Sequence, residues 1–328
     1  MNGVAKGNVE QTFWAITSYF TFDDPPGAKR RLHAYREFRR RLSLPLVTVE
    51  LSQDGAFDLC LFDAEVLIQI PDGALLWQKE RLLNVALEAL PARCDMVAWI
   101  DCDLVLPLQD WPIQTRRLLE QYALVQPFRE LYFLATDQQP GPGLHLDPST
   151  AHYSAASRWA QGTVPEEFFR TRGATGILFR CAAGGAWAAH RETLGKHGIY
   201  DAMIMGPGDK AVFCAACGRI DDMVRAYRMS SRQRAHYERW AKPFFETVRG
   251  RVAFVDGEAL HLWHGDLSAR YYAKRYQGFE RYDFDPYTDV VLNREGAWCW
   301  NSDKPPCTIS PRAISSSVGE WNEPASER

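Results

Sequence analysis

The run Met96-Val97-Ala98-Trp99-Ile100 leads directly into Asp101-Cys102-Asp103. Consecutive apolar residues of this kind predict a strand that is buried on both faces, as in a parallel sheet. Ligands of open α/β sheets bind beyond the carboxyl ends of the strands, which is where this acidic triplet lies. Carboxylates two residues apart can both reach one divalent cation, and oxygen ligands suit Mn²⁺ or Mg²⁺. The alternative interpretation is a structural turn, because short acidic triplets also cap turns and helices.

The rest of the first half alternates apolar runs with amphipathic stretches, which predicts an α/β fold with a mixed, mainly parallel sheet flanked by helices. We expect one merged domain, with a nucleotide-binding half over 12–134, an acceptor-binding half over 135–308 and a loose tail over 309–328. The predicted strands cover 13–18, 46–50, 66–70, 96–100 and 123–127. The predicted helices cover 29–42, 75–90, 113–122, 186–197 and 210–217.

The amino-acid composition excludes several classes of protein. Of the 328 residues, 46% are apolar and 24% are charged, which is typical of a folded globular chain and excludes a collagen-like or wholly disordered one. The net charge of −3 argues against a protein that coats nucleic acid by charge alone. No run reaches the ~18 apolar residues of a membrane span, so we expect no transmembrane segment and a cytoplasmic location.

Two further segments carry chemistry-bearing side chains. Gly206-Pro207-Gly208-Asp209 delivers a carboxylate to the start of a helix, although aspartate there is also a common N-cap. His261-Leu262-Trp263-His264 follows a predicted strand, and its two histidines would point to opposite sides of an extended chain. Both could bind one metal only if the chain bends near Trp263. The alternative is a pair of core histidines that bond to backbone carbonyls.

The order of these elements resembles that of glycosyltransferases with the A-type fold, in the group similar to family 2 and the β-1,4-galactosyltransferases. The resemblance covers roughly residues 12–290. It rests on a basic helix, Lys79-Glu80-Arg81-Leu82-Leu83-Asn84, then the strand ending in the acidic triplet, then the glycine loop with Asp209, then the strand ending in histidine. The chain departs from the group in having Pro-Gly-Asp where Gly-Glu-Asp is usual, so only one of the two carboxylates of that motif is present in this chain.

The resemblance implies a role for each of these side chains. Asp103 would bind Mn²⁺ or Mg²⁺ directly, Asp101 would contact the donor's ribose or the metal, and His261 or His264 would complete the metal site. Asp209 would be the general base that accepts the proton of the acceptor hydroxyl. The residues implied in binding the nucleotide-sugar donor are Asp101, Lys79, Asn84 and Arg275.

The sequence therefore predicts a metal-dependent glycosyltransferase that uses a nucleotide diphosphate sugar, with UDP as the favoured nucleotide and inversion as the favoured outcome. The expected acceptor is a glycan or a lipid-linked sugar. A hydroxylated base in DNA is an alternative, because residues 219–281 are basic and rich in aromatic side chains. Two other functions stay open: a nucleotidyltransferase, although the glycine-rich basic loop usual near its N-terminus is missing, and an inactive module that binds glycan or nucleic acid.

Overall fold

The computed structural model describes residues 12–20, 25–74, 76–172, 175–265 and 279–304. Within these ranges the strands are β1 (Phe13–Phe20), β2 (Leu46–Leu51), β3 (Val66–Ile70), β4 (Met96–Ile100), β5 (Leu104–Val105), β6 (Leu124–Gln126), β7 (Glu130–Phe133), β8 (His152–Ser154), β9 (Cys181–Ala182), β10 (Ala186–His190), β11 (Val252–Phe254), β12 (Glu258–His261), β13 (Val290–Leu292) and β14 (Trp298–Trp300). The helices are α1 (Pro25–Arg41), α2 (Lys79–Glu88), α3 (Trp111–Leu119), α4 (Ala155–Ala160), α5 (Glu166–Arg170), α6 (Thr175–Leu178), α7 (Arg191–His197), α8 (Gly208–Ala216), α9 (Ile220–Tyr227) and α10 (Ser231–Val248).

A seven-stranded sheet forms the centre of the described chain, in the order β11-β6-β10-β4-β1-β2-β3. Neighbouring strands run parallel except at β10, which is antiparallel to both β4 and β6. The predicted fold class, a mixed and mainly parallel α/β sheet, is confirmed. The chain passes from β1 to β2 on one side, whereas it passes from the neighbouring β4 through β5 and α3 to β6 on the other side. Such a switch point opens a crevice at the carboxyl ends of the strands.

The apolar core lies on both faces of this sheet. Along β4, Val97 and Trp99 belong to one buried cluster, whereas Met96 and Ile100 belong to the other. This alternation follows from the two-residue period of a strand. Because both faces are covered, the strand is apolar throughout, and the first charged residue after it lies at the sheet edge.

The helix predicted to begin at Ala186 is wrong in its first residues. The sequence predicts one helix over 186–197, but Ala186–His190 is strand β10 and the helix begins at Arg191. Alanine has a high intrinsic preference for helix. Here the backbone of β10 instead pairs with β4 on one side and β6 on the other, and these tertiary contacts outweigh the local preference.

A five-stranded sheet, in the order β5-β12-β7-β8-β9, adjoins the carboxyl edge of the central sheet. The predicted surface excursion over 135–165 is partly regular, since it contains β8 and α4. The central sheet contains strands from both predicted halves of the chain. The boundary between these halves at residue 134 stays a prediction. The tail over 309–328 lies outside the described residues, and none of the described helices has the length and apolar character of a membrane span.

Candidate active site

Strand pairing brings Asp103 next to two distant histidines. The residue after Asp103 is Leu104, which pairs with His261 in the β5–β12 ladder. The Leu262 amide also donates to the Asp103 carbonyl, at 2.8 Å. The acidic triplet and the histidine segment therefore meet at the edge between the two sheets.

Asp103, His261 and His264 form a compact cluster. His264 Nε2 lies 2.8 Å from Asp103 Oδ2, and His261 Nε2 lies 3.7 Å from Asp103 Oδ1. One ligand atom from each of the three residues lies within 4.8 Å of the others. The chain leaves β12 after His261 and bends at His264, so the two rings stack at an angle of 27°. This bend brings both histidines to one side, as a shared metal requires.

The donor atoms of the cluster suit a divalent transition metal. His261 Nδ1 lies 2.9 Å from the Leu262 carbonyl, and because a carbonyl can only accept, Nδ1 carries the hydrogen and Nε2 keeps its lone pair. A backbone carbonyl on the second ring nitrogen is the usual arrangement of a metal-binding histidine. One carboxylate and two imidazoles fit a divalent transition metal, Mn²⁺ among them, whereas Mg²⁺ prefers oxygen ligands alone.

Asp101 lies outside this cluster and belongs to an ion-pair network. Its amide donates to the Gly185 carbonyl of the segment before β10, at 2.7 Å, and its Oδ1 accepts from Lys79 Nζ at 2.9 Å. The same Nζ lies 2.5 Å from Asp209 Oδ2. Lys79 therefore joins the end of β4 to the start of α8. The metal contact implied for Asp101 stays a prediction, and its observed partner is Lys79.

Burial and charge shift the pKa values of this network. Burial alone would lower the pKa of Lys79, but the carboxylates of Asp101 and Asp209 hold it well above its ordinary value. Burial raises the pKa of Asp101 to about 6, against the opposing effect of the Lys79 ammonium. Asp101 and Asp209 place two carboxylates on one ammonium, and Asp103 adds a third carboxylate two residues after Asp101. A divalent cation would balance this excess of negative charge.

Asp209 is positioned by a tight contact between α8 and α2. The N-cap of α8 is Pro207 and Asp209 lies in the first turn, so the N-cap alternative for Asp209 is wrong. A Cβ atom on Gly208 would lie 2.1 Å from Glu80 Cδ. Only glycine lets α8 approach α2 this closely, and the approach places the Asp209 carboxylate against Lys79.

Glu80 is a buried acid beside Lys79, and no sequence motif indicates a role for it. Its side chain is 2% exposed, and Oε1 has no hydrogen-bond partner among the residues that the structure describes. Burial raises the pKa of Glu80 to about 8, despite the nearby Lys79 ammonium. No local signal marks this burial, because Glu80 stands between two basic residues, Lys79 and Arg81, a pattern typical of an exposed helix face.

Asn84, implied in donor binding, holds a loop in the structure. Its amide group accepts from the Ile199 amide and donates to the Ile199 carbonyl, both at 2.8 Å. A third bond runs to Asp201 Oδ2 at 3.1 Å, and Arg81 pairs with the same oxygen. Helix α2 thereby fixes the segment that leads to Asp209. A donor contact of Asn84 stays a prediction, and Arg275 lies outside the described residues.

The basic surface of the second half is largely neutralised by neighbouring acids. Arg219 and Arg225 both pair with Asp222, and Arg234 pairs with Glu238 one turn along α10. Residues 266–278, which carry part of the basic stretch, lie outside the described chain. The alternative of a nucleic-acid acceptor gains no support from these helices.

No protein-family model matches the chain, and no curated protein matches it. Among solved structures it is similar to glucosyl-3-phosphoglycerate synthase from Mycobacterium tuberculosis in complex with Mn²⁺, UDP and glucosyl-3-phosphoglycerate. The identity is 13%, the coverage is 94% of this chain and 96% of that one, and the TM-score is 0.37.

Two other solved structures are similar over less of the chain. Mouse xyloside xylosyltransferase 1 shares 10% identity over 74% of this chain and 85% of that one, with a TM-score of 0.30. The 4-diphosphocytidyl-2C-methyl-D-erythritol synthase from Anaerococcus prevotii shares 12% identity over 76% and 90%, with a TM-score of 0.32. Glycosyltransferases, the class that the sequence resemblance named, are among the solved structures to which the chain is similar.

Proposed function

We propose that this chain is a metal-dependent glycosyltransferase that uses a nucleotide diphosphate sugar, with UDP as the favoured nucleotide. The observation that carries the proposal is the placement of two clusters at one sheet edge. Asp103, His261 and His264 offer a cation site, and the network of Asp101, Lys79 and Asp209 starts two residues away. A glycosyl transfer needs both: positive charge for the leaving diphosphate and a base for the acceptor.

The cation site would hold Mn²⁺ through the Asp103 carboxylate and the two histidine Nε2 atoms. A bound Mn²⁺ supplies Lewis-acid stabilisation of the negative charge that develops on the departing diphosphate. Lys79 adds a second positive charge at the same edge. Asp103 and His264 are each 7% exposed, and such burial strengthens electrostatic interactions because little water screens them.

Asp209 would act as the general base. In a direct displacement the acceptor oxygen bonds to the anomeric carbon, the bond from that carbon to the diphosphate oxygen breaks, and the hydroxyl proton passes to the Asp209 carboxylate. Such a displacement inverts the anomeric centre. The side chain of Asp209 is 16% exposed, so an acceptor hydroxyl can approach it from solvent.

The acceptor class is a hydroxyl-bearing glycan or a lipid-linked sugar. Some arginines of the second half are paired with acids, as Arg219 is with Asp222 and Arg234 with Glu238, and this favours a neutral acceptor over nucleic acid.

A panel of sugar nucleotides tests the proposal. The purified chain is incubated with UDP-, GDP-, ADP- and dTDP-sugars and Mn²⁺, and release of nucleoside diphosphate is measured without acceptor and with glycan acceptors. We expect Mn²⁺-dependent turnover of one donor, and none with Asp103→Ala. Pyrophosphate formation from a nucleoside triphosphate and a sugar phosphate would instead identify a nucleotidyltransferase. Turnover of no donor in the presence of Mn²⁺ would contradict the proposal.

A further inference from the structure

We propose that Lys79 restrains the base Asp209 in an ion pair, and that the donor's diphosphate releases Asp209 by competing for the same ammonium. The proposal rests on the proposed function, since it requires a diphosphate donor at this edge of the sheet. It adds a link between donor binding and activation of the base.

The contacts of Lys79 set up this competition. Its Nζ donates to Asp209 Oδ2 at 2.5 Å and to Asp101 Oδ1 at 2.9 Å, and its side chain is 11% exposed. Glu80 Oε1 is 3.9 Å from Nζ, beyond hydrogen-bond distance. An ammonium has three hydrogens, so two of the three are already used by carboxylates.

An ion-paired carboxylate is a poor proton acceptor. Lys79 Nζ donates to Asp209 Oδ2, so an acceptor hydroxyl that approaches this oxygen must first displace the ammonium. The cost is larger in a partly buried site than in water. Asp209 therefore becomes an effective base only when Lys79 finds another anionic partner.

A diphosphate is the partner that the site would supply. It carries more negative charge than one carboxylate, and the cation site of Asp103, His261 and His264 would bring it beside Asp101 and thus beside Lys79. Both carboxylates reach Lys79 from other elements, and the backbone of Asp101 is held by its bond to the Gly185 carbonyl. The Lys79–Asp209 bond is the one that a diphosphate would replace.

The restraint predicts a change in UDP affinity, and the direction of that change distinguishes it from a simple catalytic base. If the donor must break the Lys79–Asp209 pair, that pair opposes donor binding. Removing the charge of Asp209 should then tighten UDP binding, because Lys79 is freed. The gain should depend on Lys79 being present.

A double-mutant cycle tests this, with UDP as the probe and calorimetry at saturating Mn²⁺ as the readout. The four proteins are the unmodified chain, Asp209→Asn, Lys79→Gln and the double variant. We expect Asp209→Asn to tighten UDP binding about tenfold and Lys79→Gln to weaken it about tenfold. In the Lys79→Gln background, Asp209→Asn should change the affinity less than about twofold.

Equal tightening by Asp209→Asn in both backgrounds would overturn the proposal, since plain repulsion between Asp209 and UDP would then explain it. Unchanged affinity in Asp209→Asn would overturn it as well. In both cases the unmodified chain still binds UDP with Mn²⁺, so the proposed function stands. If Lys79→Gln fails to fold, the neutral Lys79→Met replaces it, and Asp209→Asn should again change the affinity less than about twofold in that background. No UDP binding by the unmodified chain would overturn both proposals.

Discussion

Lys79 Nζ lies 2.5 Å from Asp209 Oδ2, although 130 positions separate the two residues in the chain. This contact joins α2 to α8, and the bond from the same ammonium to Asp101 joins both helices to the end of β4. Asp103, two residues after Asp101, contacts His264 in the segment that follows β12. Four distant parts of the sequence thus converge at one edge of the sheet.

Replacing the base should abolish most of the transfer while leaving the cation site intact. We expect Asp209→Asn to lower the turnover of the accepted sugar nucleotide by about 100-fold or more, the usual contribution of a general base. Steady-state kinetics at saturating donor and Mn²⁺ measure this. Loss of UDP binding in the same variant would contradict the assignment, because a base makes no contact that holds the nucleotide.

Gly208→Ala should destabilise the fold. The added Cβ would overlap the buried Glu80 carboxyl, and overpacking of this kind costs about 1–3 kcal/mol of unfolding free energy. Chemical denaturation measures the change. Gly195→Ala is the matched control, because a Cβ at Gly195 in α7 meets nothing within 4 Å and alanine should stabilise that helix by about 0.5–1 kcal/mol.

A rescue variant separates steric overlap from other effects at Gly208. If the Glu80 carboxyl is what the new Cβ meets, Glu80→Ala should restore most of the stability lost in Gly208→Ala. Equal losses in the presence and absence of Glu80 would contradict the packing argument.

Lys210 should give the fold a stability that depends on pH. It is 2% exposed, its ammonium donates to the carbonyls of Phe168 and Thr171, and burial lowers its pKa from 10.5 to about 8. Between those two values the unfolded chain retains a proton that the folded chain has released, so stability rises with pH through this window. Below pH 8 both states are protonated and the effect is constant.

Comparison with Lys210→Met isolates this contribution. Between pH 8 and pH 10.5 we expect the unfolding free energy of the unmodified chain to rise by about 3 kcal/mol relative to that of the variant, since each unit of pKa corresponds to about 1.4 kcal/mol. Denaturation at a series of pH values measures the difference. A difference that stays flat from pH 7 to pH 10.5 would show that the ammonium is not held in an apolar environment.

Both histidines should contribute to metal binding. We expect His261→Ala and His264→Ala each to weaken Mn²⁺ affinity at least tenfold, because each removes one of three protein ligands. Electron paramagnetic resonance of free Mn²⁺ measures the affinity without any nucleotide. His145→Ala, an exposed histidine outside the site, is the control. If one of the two variants binds Mn²⁺ like the control, that histidine is a structural neighbour of Asp103.

Sequence patterns located the parts of this site that lie at strand and helix ends. The apolar run of β4 fixes where Asp101 and Asp103 emerge, and the glycine loop fixes where Asp209 begins a helix. Both signals are local, because a buried strand must be apolar and a tight helix start favours glycine. The fold class follows from the same alternation of apolar and amphipathic segments.

Other features depend on contacts that no local pattern records. The alanine-rich Ala186–His190 forms a strand because β4 and β6 lie on either side of it. The convergence of both histidines depends on a bend at His264. The pairing of Lys79 with Asp209 and the burial of Glu80 depend on the close approach of α2 and α8. Periodicity predicts the elements, whereas the site arises from how they pack.

The most direct test of the central claim is calorimetric binding of UDP with and without Mn²⁺. We expect UDP to bind when Mn²⁺ is present, to bind at least tenfold more weakly without it, and to lose the Mn²⁺ dependence in Asp103→Asn. UDP binding that is unchanged by Mn²⁺ would contradict the metal site. No binding of UDP, GDP, ADP, CMP or dTDP in the presence of Mn²⁺ would contradict the nucleotide-sugar site itself.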